Sequence, residues 1–310
     1  MTMGLAKVSR NEWIEIDSKY RTQIIERTNI LESHSEQTLG TTPAADHIVS
    51  ELYREIIFQQ LPQRFPTVFS LSADKRTINN NITGLSFPSK PLTKKTDHGI
   101  SSLRILAVNI VEDLFVLRPD IKSGKHLLCA FVACYPNGFE TAKLMDKSVS
   151  EIHAPVPLYK EKLEMSVDRF FKTIKVGDFM RRFNWSITTC GPQLFTPKNL
   201  NNYPGHTSAN DEQSELAIED VYLRVERQIL TRLPQSRAVV FTVKTYMTPL
   251  TDVRVEGSGP QLLAAVKAWP KKVAFYKRRP YWFNQVCEYL EEAKTGPCAD
   301  KTENGNRDTV

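Results

Sequence analysis

The sequence predicts an α+β fold in which helices come first and an antiparallel sheet follows. Apolar residues recur at helical spacing in residues 44–60, and three later segments have the patterns of strands. A short connection at residues 233–236 joins the last two of these segments, so we expect an antiparallel hairpin there. A helical pattern at residues 160–174 precedes the strands and can pack across the sheet. Such a sheet and helix can hold a flat cofactor between them.

In the first half of the chain, the helix at residues 44–60 is predicted to end at Leu61-Pro62, because proline disrupts a helix interior. Residues 77–95 are polar and contain a glycine and two prolines, which predicts a loop. The other predicted elements of this half are a helix at residues 101–111, a strand that begins at residues 114–117 and a strand at residues 125–134.

In the second half, alternating or β-branched patterns predict strands, and 3.6-residue spacing predicts helices. The predicted strands lie at residues 183–189, 221–230 and 238–246, and the predicted helices at residues 261–269 and 281–293. We expect one domain, residues 1–293, with a helical N-terminal extension of about 1–100 and C-terminal helices of about 258–293. Residues 294–310 are polar and are expected to be a disordered tail.

Composition and length argue against several classes of protein. The chain has 310 residues, of which 41% are hydrophobic and 25% charged, as in ordinary globular proteins. No apolar run approaches the ~20 residues that span a bilayer, and residues 1–10 lack the hydrophobic core of a secretory signal. We therefore expect a cytoplasmic protein without a membrane span. The five cysteines include no close pair, which argues against a disulfide framework, a zinc site or an iron–sulfur cluster.

Positive charge is concentrated near the C-terminus. Residues 257–287 contain no acidic residue, although the net charge of the whole chain is only +6. The basic residues of this segment are Lys267, Lys271, Lys272, Lys277, Arg278 and Arg279. Aromatic residues are interleaved with them, but no nucleic-acid-binding motif is present, so we expect no nucleic-acid partner. The segment is interpreted as a solvated face, or as a docking site for an acidic electron-transfer partner.

One histidine stands in a stiff segment. In Ile152-His153-Ala154-Pro155-Val156-Pro157, each proline fixes its own φ and disfavours the helical region at the residue before it. We therefore expect His153 to project from a rigid, extended segment. Such rigidity suits an axial metal ligand, because the orientation of the ring tunes the metal. The alternative is a structural histidine that precedes a turn.

Polar side chains are expected to share the faces of two strands. Side chains alternate with period two, so Arg224, Glu226 and Gln228 should point to one face. Arg182 and Asn184 should likewise share a face of an earlier strand. Because unpaired buried polar groups are costly, these residues should either line a polar pocket or form a structural salt-bridge network.

A series of short motifs resembles one known family. In chain order they lie at residues 61–66, 112–114, 152–157, 182–185, 223–228, 232–234 and 241–246. Their sequences are Leu-Pro-Gln-Arg-Phe-Pro, Glu-Asp-Leu, Ile-His-Ala-Pro-Val-Pro, Arg-Phe-Asn-Trp, Leu-Arg-Val-Glu-Arg-Gln, Arg-Leu-Pro and Phe-Thr-Val-Lys-Thr-Tyr. The series resembles the haem-dependent oxidative N-demethylases, whose α subunit acts as a dimethylamine monooxygenase. It is most similar to the fungal branch labelled HRQ family proteins, and it extends from about Trp13 to about Lys277.

The resemblance implies a haem b held by a core similar to a PAS domain, within residues 1–293. It implies that O₂ and reducing equivalents remove an N-methyl group from a small-molecule amine as formaldehyde. Bacterial relatives receive electrons from NADPH through separate flavin and [2Fe–2S] subunits. Because this sequence has no glycine-rich nucleotide loop and no cysteine cluster, we expect a separate reductase partner. The alternatives are a haem-binding gas or redox sensor without turnover, and a cofactor-free scaffold that uses the basic segment.

The resemblance also implies roles for individual residues. His153 matches the position of the proximal haem ligand, and His126, at the start of a predicted strand, is the rival ligand. Glu226 would hold the amine or take its proton, and Arg224 would steady Glu226 or bound oxygen. A structural salt bridge, or pairing of Arg224 with a haem propionate, is the alternative for these two residues.

Four further residues are candidates for contact with the cofactor. Arg182 would bind a haem propionate, and Asn184 would share its strand face. Arg64, in a segment flanked by prolines, would be either a propionate partner or a structural tie. Tyr159, just after the ligand segment, would line the pocket.

Overall fold

The computed structural model describes residues 3–92, 98–197, 201 and 216–291. The predicted tail, residues 294–310, lies outside the described residues. The α-helices are α1 (Tyr20–Ser33), α2 (Ser35–Thr38), α3 (Asp46–Tyr53), α4 (Leu61–Arg64), α5 (His98–Ala107), α6 (Val149–Ile152), α7 (Tyr159–Lys162), α8 (Glu164–Thr173), α9 (Leu250–Val255), α10 (Gly259–Lys267), α11 (Lys271–Tyr276) and α12 (Arg279–Glu291). A π-helical segment occupies Arg54–Gln60, and 3₁₀ turns occupy Arg10–Glu12, Pro43–Ala45, Thr141–Leu144 and Ile218–Asp220.

The strands of the described residues form two antiparallel sheets. The strands are β1 (Ala6–Val8), β2 (Leu39–Thr41), β3 (Phe69–Leu71), β4 (Thr77–Asn80), β5 (Ser86–Pro88), β6 (Asp113–Pro119), β7 (His126–Val132), β8 (Phe179–Thr188), β9 (Tyr222–Arg232) and β10 (Val239–Pro249). The large sheet has seven described strands in the order β1-β8-β9-β10-β6-β7-β2, and the small sheet has the order β3-β4-β5. The long strands β8, β9 and β10 occupy the middle of the large sheet.

One face of the large sheet packs against the N-terminal helices. Ile229 of β9, Val240 of β10 and Leu114 of β6 are buried in a single apolar cluster. The same cluster contains Ile24 of α1 and Leu52 of α3. Burial of apolar surface is the dominant favourable contribution to folding, so this interface is the main core of the protein.

The opposite face of the large sheet turns towards α6, α7 and α8. Leu230 of β9 and Leu117 of β6 lie in an apolar cluster with Val149 of α6 and Phe171 of α8. Side chains one residue apart on a strand point to opposite faces. Ile229 therefore packs in the main core, while Leu230 faces the helices that cover the other side.

The helix predicted over residues 44–60 does not stop at Leu61-Pro62. Helix α3 passes into the π-helical segment Arg54–Gln60 and then into α4, which ends at Arg64. The predicted end of this helix was therefore wrong. Pro62 lies just after the junction of the π-helical segment and α4, and the helical backbone continues through it to Arg64.

The loop predicted over residues 77–95 was wrong at residues 77–80 and 86–88, which are strands, and residues 93–95 lie outside the described residues. Within this segment β4 pairs with β3 on one side and with β5 on the other. Each strand is only three or four residues long, so the alternation of Ile78 and Phe87 with polar neighbours is too short to stand out as a strand pattern. Pro88 ends β5, an edge strand, where proline is tolerated.

Most of the other predictions are confirmed. The α+β class is correct, and the hairpin around residues 233–236 joins β9 to β10 with Arg232 opposite Val239. The predicted strands at residues 125–134, 183–189, 221–230 and 238–246 correspond to β7, β8, β9 and β10. The predicted helix at residues 160–174 is divided at Leu163 into α7 and α8. Within the described ranges, no helix has both the length and the apolar character needed to cross a bilayer.

Candidate functional site

A cavity of about 580 Å³ lies between the large sheet and the helices that cover it. Its walls include Glu226 and Gln228 of β9 on the sheet side, and His153 and Tyr159 on the helical side. This volume lies in the range of about 300–1,000 Å³ that is typical of small-molecule and cofactor sites. Most of the lining side chains are apolar, so the few polar groups determine what the cavity can bind.

His153 follows α6 directly and lines the cavity. Its Nδ1 atom lies 2.8 Å from the backbone oxygen of Val149. A carbonyl oxygen only accepts hydrogen bonds, so Nδ1 carries the proton, and in the neutral ring Nε2 keeps its lone pair. Burial lowers the pKa of His153 below its ordinary value, which favours the neutral ring at pH 7. His153 is therefore in the protonation state that binds a metal ion.

Local sequence fixes the backbone around His153. Helix α6 is one turn long and begins with a capping box. The Oγ of Ser148 accepts from the N–H of Glu151 at 3.3 Å, and the Glu151 carboxylate accepts from the N–H of Ser148 at 2.8 Å. Residues 153–158 are non-helical, as predicted, but they form turns and not an extended segment. The N–H of Val156 donates to the His153 oxygen at 2.9 Å and closes one of these turns.

The ring of Tyr159 stacks on the ring of His153. The ring centroids are 4.8 Å apart and the planes differ by 18°. The hydroxyl of Tyr159 is buried and has no hydrogen-bond partner among the described residues, and burial raises its pKa. Tyr159 thus restricts rotation of His153 and presents an unsatisfied hydroxyl, as a residue that contacts a bound group would do.

The carboxylate of Glu226 accepts four hydrogen bonds. Its Oε1 accepts from Asn137 at 2.8 Å and from Arg224 at 3.2 Å. Its Oε2 accepts from Asn184 at 3.1 Å and from Gln228 at 3.0 Å. Burial raises the pKa of Glu226, but the charge of Arg224 and the hydrogen bonds outweigh burial, and the net pKa is below the usual value. Glu226 is therefore an ionised group whose accepting positions are all occupied.

Arg224 lies behind Glu226 and outside the described lining of the cavity. Its side chain is 1% exposed. Besides Glu226, it donates to the backbone oxygen of Tyr135 at 2.6 Å and to Oγ1 of Thr245 at 3.3 Å. Arg224 therefore acts on the cavity only through the carboxylate that it holds.

Arg182 lines the cavity on the sheet side, opposite Gln228 in the register of β8 and β9. Its Nε is buried and has no hydrogen-bond partner in the described chain. Oε1 of Gln228 is likewise buried and has no partner among the described residues. Burial lowers the pKa of Arg182. Buried polar atoms without partners cost free energy, so these two atoms mark where a ligand with polar groups would bind.

Lys277 is a residue of the cavity that sequence reasoning missed. It follows α11 and lines the cavity together with Val273 and Tyr276. Its Nζ donates to the backbone oxygen of Trp185 and lies 3.5 Å from Oδ1 of Asn184. Burial lowers the pKa of Lys277 to about 8. The interpretation of this lysine as part of a solvated face was wrong. Its spacing of four residues from Val273 was the available signal, because such residues share a helix face.

Besides Arg224, two predicted residues lie outside the described lining of the cavity. Arg64 is exposed, and its Nε donates to the backbone oxygen of Asn11 at 3.2 Å, which fits the alternative of a structural tie. His126 is buried beside the ring of Phe171, at 5.3 Å between centroids, and is absent from the described lining. Burial lowers the pKa of His126 to about 4. The structure thus brings together His153, Tyr159, Arg182, Asn184 and Glu226, with Arg224 behind Glu226.

These features define an α+β protein in which a neutral histidine faces a largely apolar cavity with polar groups on its sheet side. The chain matches the family described as haem-dependent oxidative N-demethylase, alpha subunit-like, over residues 4–287. Because the match extends over nearly the whole chain, the protein belongs to this family. The family description indicates an oxidoreductase that depends on haem.

The residues of the cavity fit a haem. Haem iron needs only axial ligands from the protein, because the porphyrin supplies the others, and His153 offers Nε2. In the ranges that the structure describes, no group of three or more His, Cys, Asp or Glu side chains could hold a bare metal ion. The unsatisfied Nε of Arg182 is suited to a carboxylate, such as a haem propionate. Donor set and cavity size therefore agree with the family description.

Proposed function

We propose that this protein is a haem-dependent monooxygenase that removes an N-methyl group from a small-molecule amine. One O₂, two electrons and two protons convert the N-methylamine into the demethylated amine, formaldehyde and water. The observation that carries the proposal is the neutral ring of His153, which faces the cavity with Nε2 unprotonated. Membership of the family supports both haem as the cofactor and oxidative N-demethylation as the reaction.

His153 is the proposed axial ligand of haem b, which would supply an iron able to bind O₂. The carbonyl of Val149 sets the tautomer and increases the basicity of the ring, as a hydrogen-bond partner behind a ligating histidine does. Tyr159 holds the plane of the ring. The proposal includes a PAS-like core, in which the antiparallel sheet and helices α6 to α8 enclose the cofactor.

Glu226 supplies a fixed negative charge on the sheet side of the cavity. Its lowered pKa and its four hydrogen bonds keep it ionised. The charge therefore attracts the ammonium form of an amine, and the carboxylate is a poor acceptor for the amine's proton. Asn184 and Arg224 hold Glu226 in place. We assign Glu226 to binding of the substrate and Arg224 to positioning of Glu226.

A separate protein is the proposed source of electrons, since the family description names an alpha subunit. Helix α11 separates the cavity from solvent: Val273 lines the cavity, while Lys271, Lys272 and Phe275 are exposed. An α-helix with its side chains is about 10–12 Å wide, so a partner on this face would lie about one helix diameter from the cofactor. We place an acidic reductase, with flavin and iron–sulfur centres and fed by NADPH, on the outer face of α11.

The test is formaldehyde release by the haem-loaded protein. The protein is supplied with NADPH and a flavin/iron–sulfur reductase, and dimethylamine and other N-methylated amines are offered in turn. We expect one formaldehyde per O₂ consumed, and loss of this activity in His153→Ala. If the protein binds haem and carbon monoxide but releases no formaldehyde from any amine tested, N-demethylation is wrong and the sensor without turnover is favoured.

A further inference from the structure

Each carboxylate of the described lining is paired with an arginine that lies outside that lining. The described lining includes two, Asp113 and Glu226. Asp113 pairs with Arg27 at 2.8 Å, and Glu226 pairs with Arg224 at 3.2 Å. Neither arginine is part of the described lining. Glu226 still attracts Arg182 and Lys277 electrostatically, but within the described lining no carboxylate remains without an arginine partner.

Two cations inside the cavity, Arg182 and Lys277, form no ion pair with a carboxylate of the described residues. A third cation of the lining, Lys162, is exposed to solvent. Arg182 and Lys277 are partly buried and close enough to repel each other. Counted over the described lining residues and the two arginines paired with them, the cavity thus carries excess positive charge, which a bound anion would balance.

The ammonium group of Lys277 has at least one N–H donor that is not used by its described partners. Its Nζ lies 5.6 Å from the ring centroid of Trp185 and 5.1 Å from that of Trp269. It donates to the backbone oxygen of Trp185 and approaches Oδ1 of Asn184 at 3.5 Å. An ammonium group has three N–H donors, so at least one remains for an oxygen in the cavity.

The guanidinium group of Arg182 also has hydrogen-bond donors without a partner among the described residues. Its Nε is buried without a partner, and no hydrogen bond joins its guanidinium to a described residue. A guanidinium is planar and binds a carboxylate through two parallel hydrogen bonds. Arg182 and Lys277 therefore offer a carboxylate one bidentate and one single donor within one cavity.

We propose that Arg182 and Lys277 form a carboxylate-binding subsite in the cavity. The identity of the occupant rests on the proposed function. One source of the carboxylate is a haem propionate, and the other is the carboxyl group of an N-methylated amino acid substrate. Asn184 lies between Glu226 and Lys277, with Nδ2 3.1 Å from Glu226 and Oδ1 3.5 Å from Lys277. A fixed negative and a fixed positive group one amide apart match the two charges of an amino acid.

Three variants and one control separate a ligand-binding role from a structural one. Lys277→Met keeps an unbranched side chain beside Trp185 and Trp269 but removes the charge, and Lys277→Arg keeps the charge. Arg182→Met removes the second cation. The control is Lys267→Met, because Lys267 is an exposed lysine paired with Glu291 away from the cavity. Thermal unfolding shows whether each variant is folded before ligands are compared.

The propionate source is tested with metal-free protoporphyrin IX and its dimethyl ester. Neither contains iron, so binding to the ligand-free protein does not depend on ligation by His153. If a propionate occupies the subsite, the free acid should bind at least about tenfold more tightly than the ester, since a charge-assisted hydrogen bond is lost in the ester. Lys277→Met and Arg182→Met should abolish this preference, while Lys277→Arg and Lys267→Met should keep it.

The substrate source is tested by isothermal titration of the protein as isolated with N-methylglycine and with dimethylamine. If the substrate carboxylate occupies the subsite, N-methylglycine should bind at least about tenfold more tightly than dimethylamine in the wild type. That preference should disappear in Lys277→Met and remain in Lys267→Met. The subsite is supported if the ligand with a free carboxylate binds more tightly in either titration and this preference disappears in the variants that lack a cation. The titration that shows the preference identifies the occupant.

The subsite is overturned if neither titration shows a preference for the carboxylate, or if the preference persists in both Lys277→Met and Arg182→Met. Lys277 would then be a structural tie to Trp185. Failure of the proposed function has a different signature. The protein would bind protoporphyrin or N-methylglycine in a cation-dependent way, yet would either show no ligation of haem iron by His153 or release no formaldehyde from any amine tested.

Discussion

Nδ1 of His153 donates a hydrogen bond of 2.8 Å to the backbone oxygen of Val149, four residues earlier. Val149 is the first residue of α6, which the capping box of Ser148 and Glu151 holds at its start. The ring of Tyr159 limits rotation from the other direction. The tautomer and the orientation of His153 are therefore set by the fold before any cofactor binds, which is how second-layer contacts tune a metal ligand.

We predict that haem stays bound at acidic pH values at which an ordinary histidine would be protonated. Ligation requires the neutral ring, and burial lowers the pKa of His153 below the ordinary value of about 6.5. Bound iron would compete with the proton for the ring nitrogen, and this lowers further the pH at which half of the haem is released. Acid titration of the haem-loaded protein, followed by the Soret band, should give a midpoint below pH 6.5. Release centred above pH 6.5 would show that the ring is not held neutral.

Replacement of Glu226 by glutamine should destabilise the ligand-free protein by about 3 kcal/mol. The change leaves Arg224 buried without its counter-charge, and breaking a buried pair typically costs about 3–5 kcal/mol. It also turns an NH₂ group towards donors that now meet a carboxylate. Urea unfolding measures the loss. The matched control is Glu291→Gln at the exposed pair with Lys267, which should cost less than about 1 kcal/mol. Equal stability of Glu226→Gln and wild type would contradict a buried, ionised Glu226 that accepts four hydrogen bonds.

Lys277 should make the stability of the ligand-free protein depend on alkaline pH. Its pKa is about 8 in the folded protein, against a usual 10.5. Between these values the unfolded chain binds a proton that the folded protein has released, so the free energy of unfolding should rise with pH over that window. Below pH 8 both states are protonated, and the unfavourable contribution of the buried charge is constant.

The measurement is urea unfolding of wild type, Lys277→Met and Lys267→Met at pH 7, 8, 9 and 10. Lys277→Met should have a higher free energy of unfolding than the wild type at pH 7, and this difference should shrink towards pH 10. Lys267→Met should follow the wild type at every pH, since its parent side chain is exposed. If the difference in the free energy of unfolding between wild type and Lys277→Met does not change with pH, the pKa of Lys277 is not depressed.

Charge reversal on α11 should slow reduction by the partner protein. Lys271 and Lys272 are exposed on the face opposite the cavity, so Lys271→Glu/Lys272→Glu should lower the rate of haem reduction by an acidic reductase. The rate should also lose part of its dependence on salt, because electrostatic steering is screened by ions. Lys122→Glu, at an exposed turn between β6 and β7, is the control. Unchanged rates in the double variant would remove α11 as the docking face.

Strand periodicity was sufficient to find much of the site. Period two correctly places Arg182 with Asn184, and Glu226 with Gln228, on common faces that line the cavity. The register then sets Asn184 opposite Glu226. That pairing could not be read from local patterns, because register depends on contacts between segments far apart in the chain.

Asn137 and Lys277 show where sequence patterns are insufficient. Asn137 binds Glu226 from 89 positions away, and Lys277 approaches Asn184 from 93 positions away. Lys277 is also one of many basic residues in its segment, so its composition gives no sign that it is buried. Arg64 is the converse case: its motif suggested a site, but α4 continues past Pro62 and directs Arg64 to Asn11. Local sequence determines element type better than it determines which elements meet.

The optical spectrum of the haem-loaded protein, ferric and then reduced under carbon monoxide, tests whether His153 is the haem ligand. Wild type should show a Soret band that shifts with carbon monoxide, as expected for histidine-ligated iron with an open position. His153→Ala should lose this spectrum, and His126→Ala should keep it, because His126 lies outside the described lining. An unchanged spectrum in His153→Ala, or a wild-type protein that takes up no haem, would contradict the assignment of His153 as the ligand.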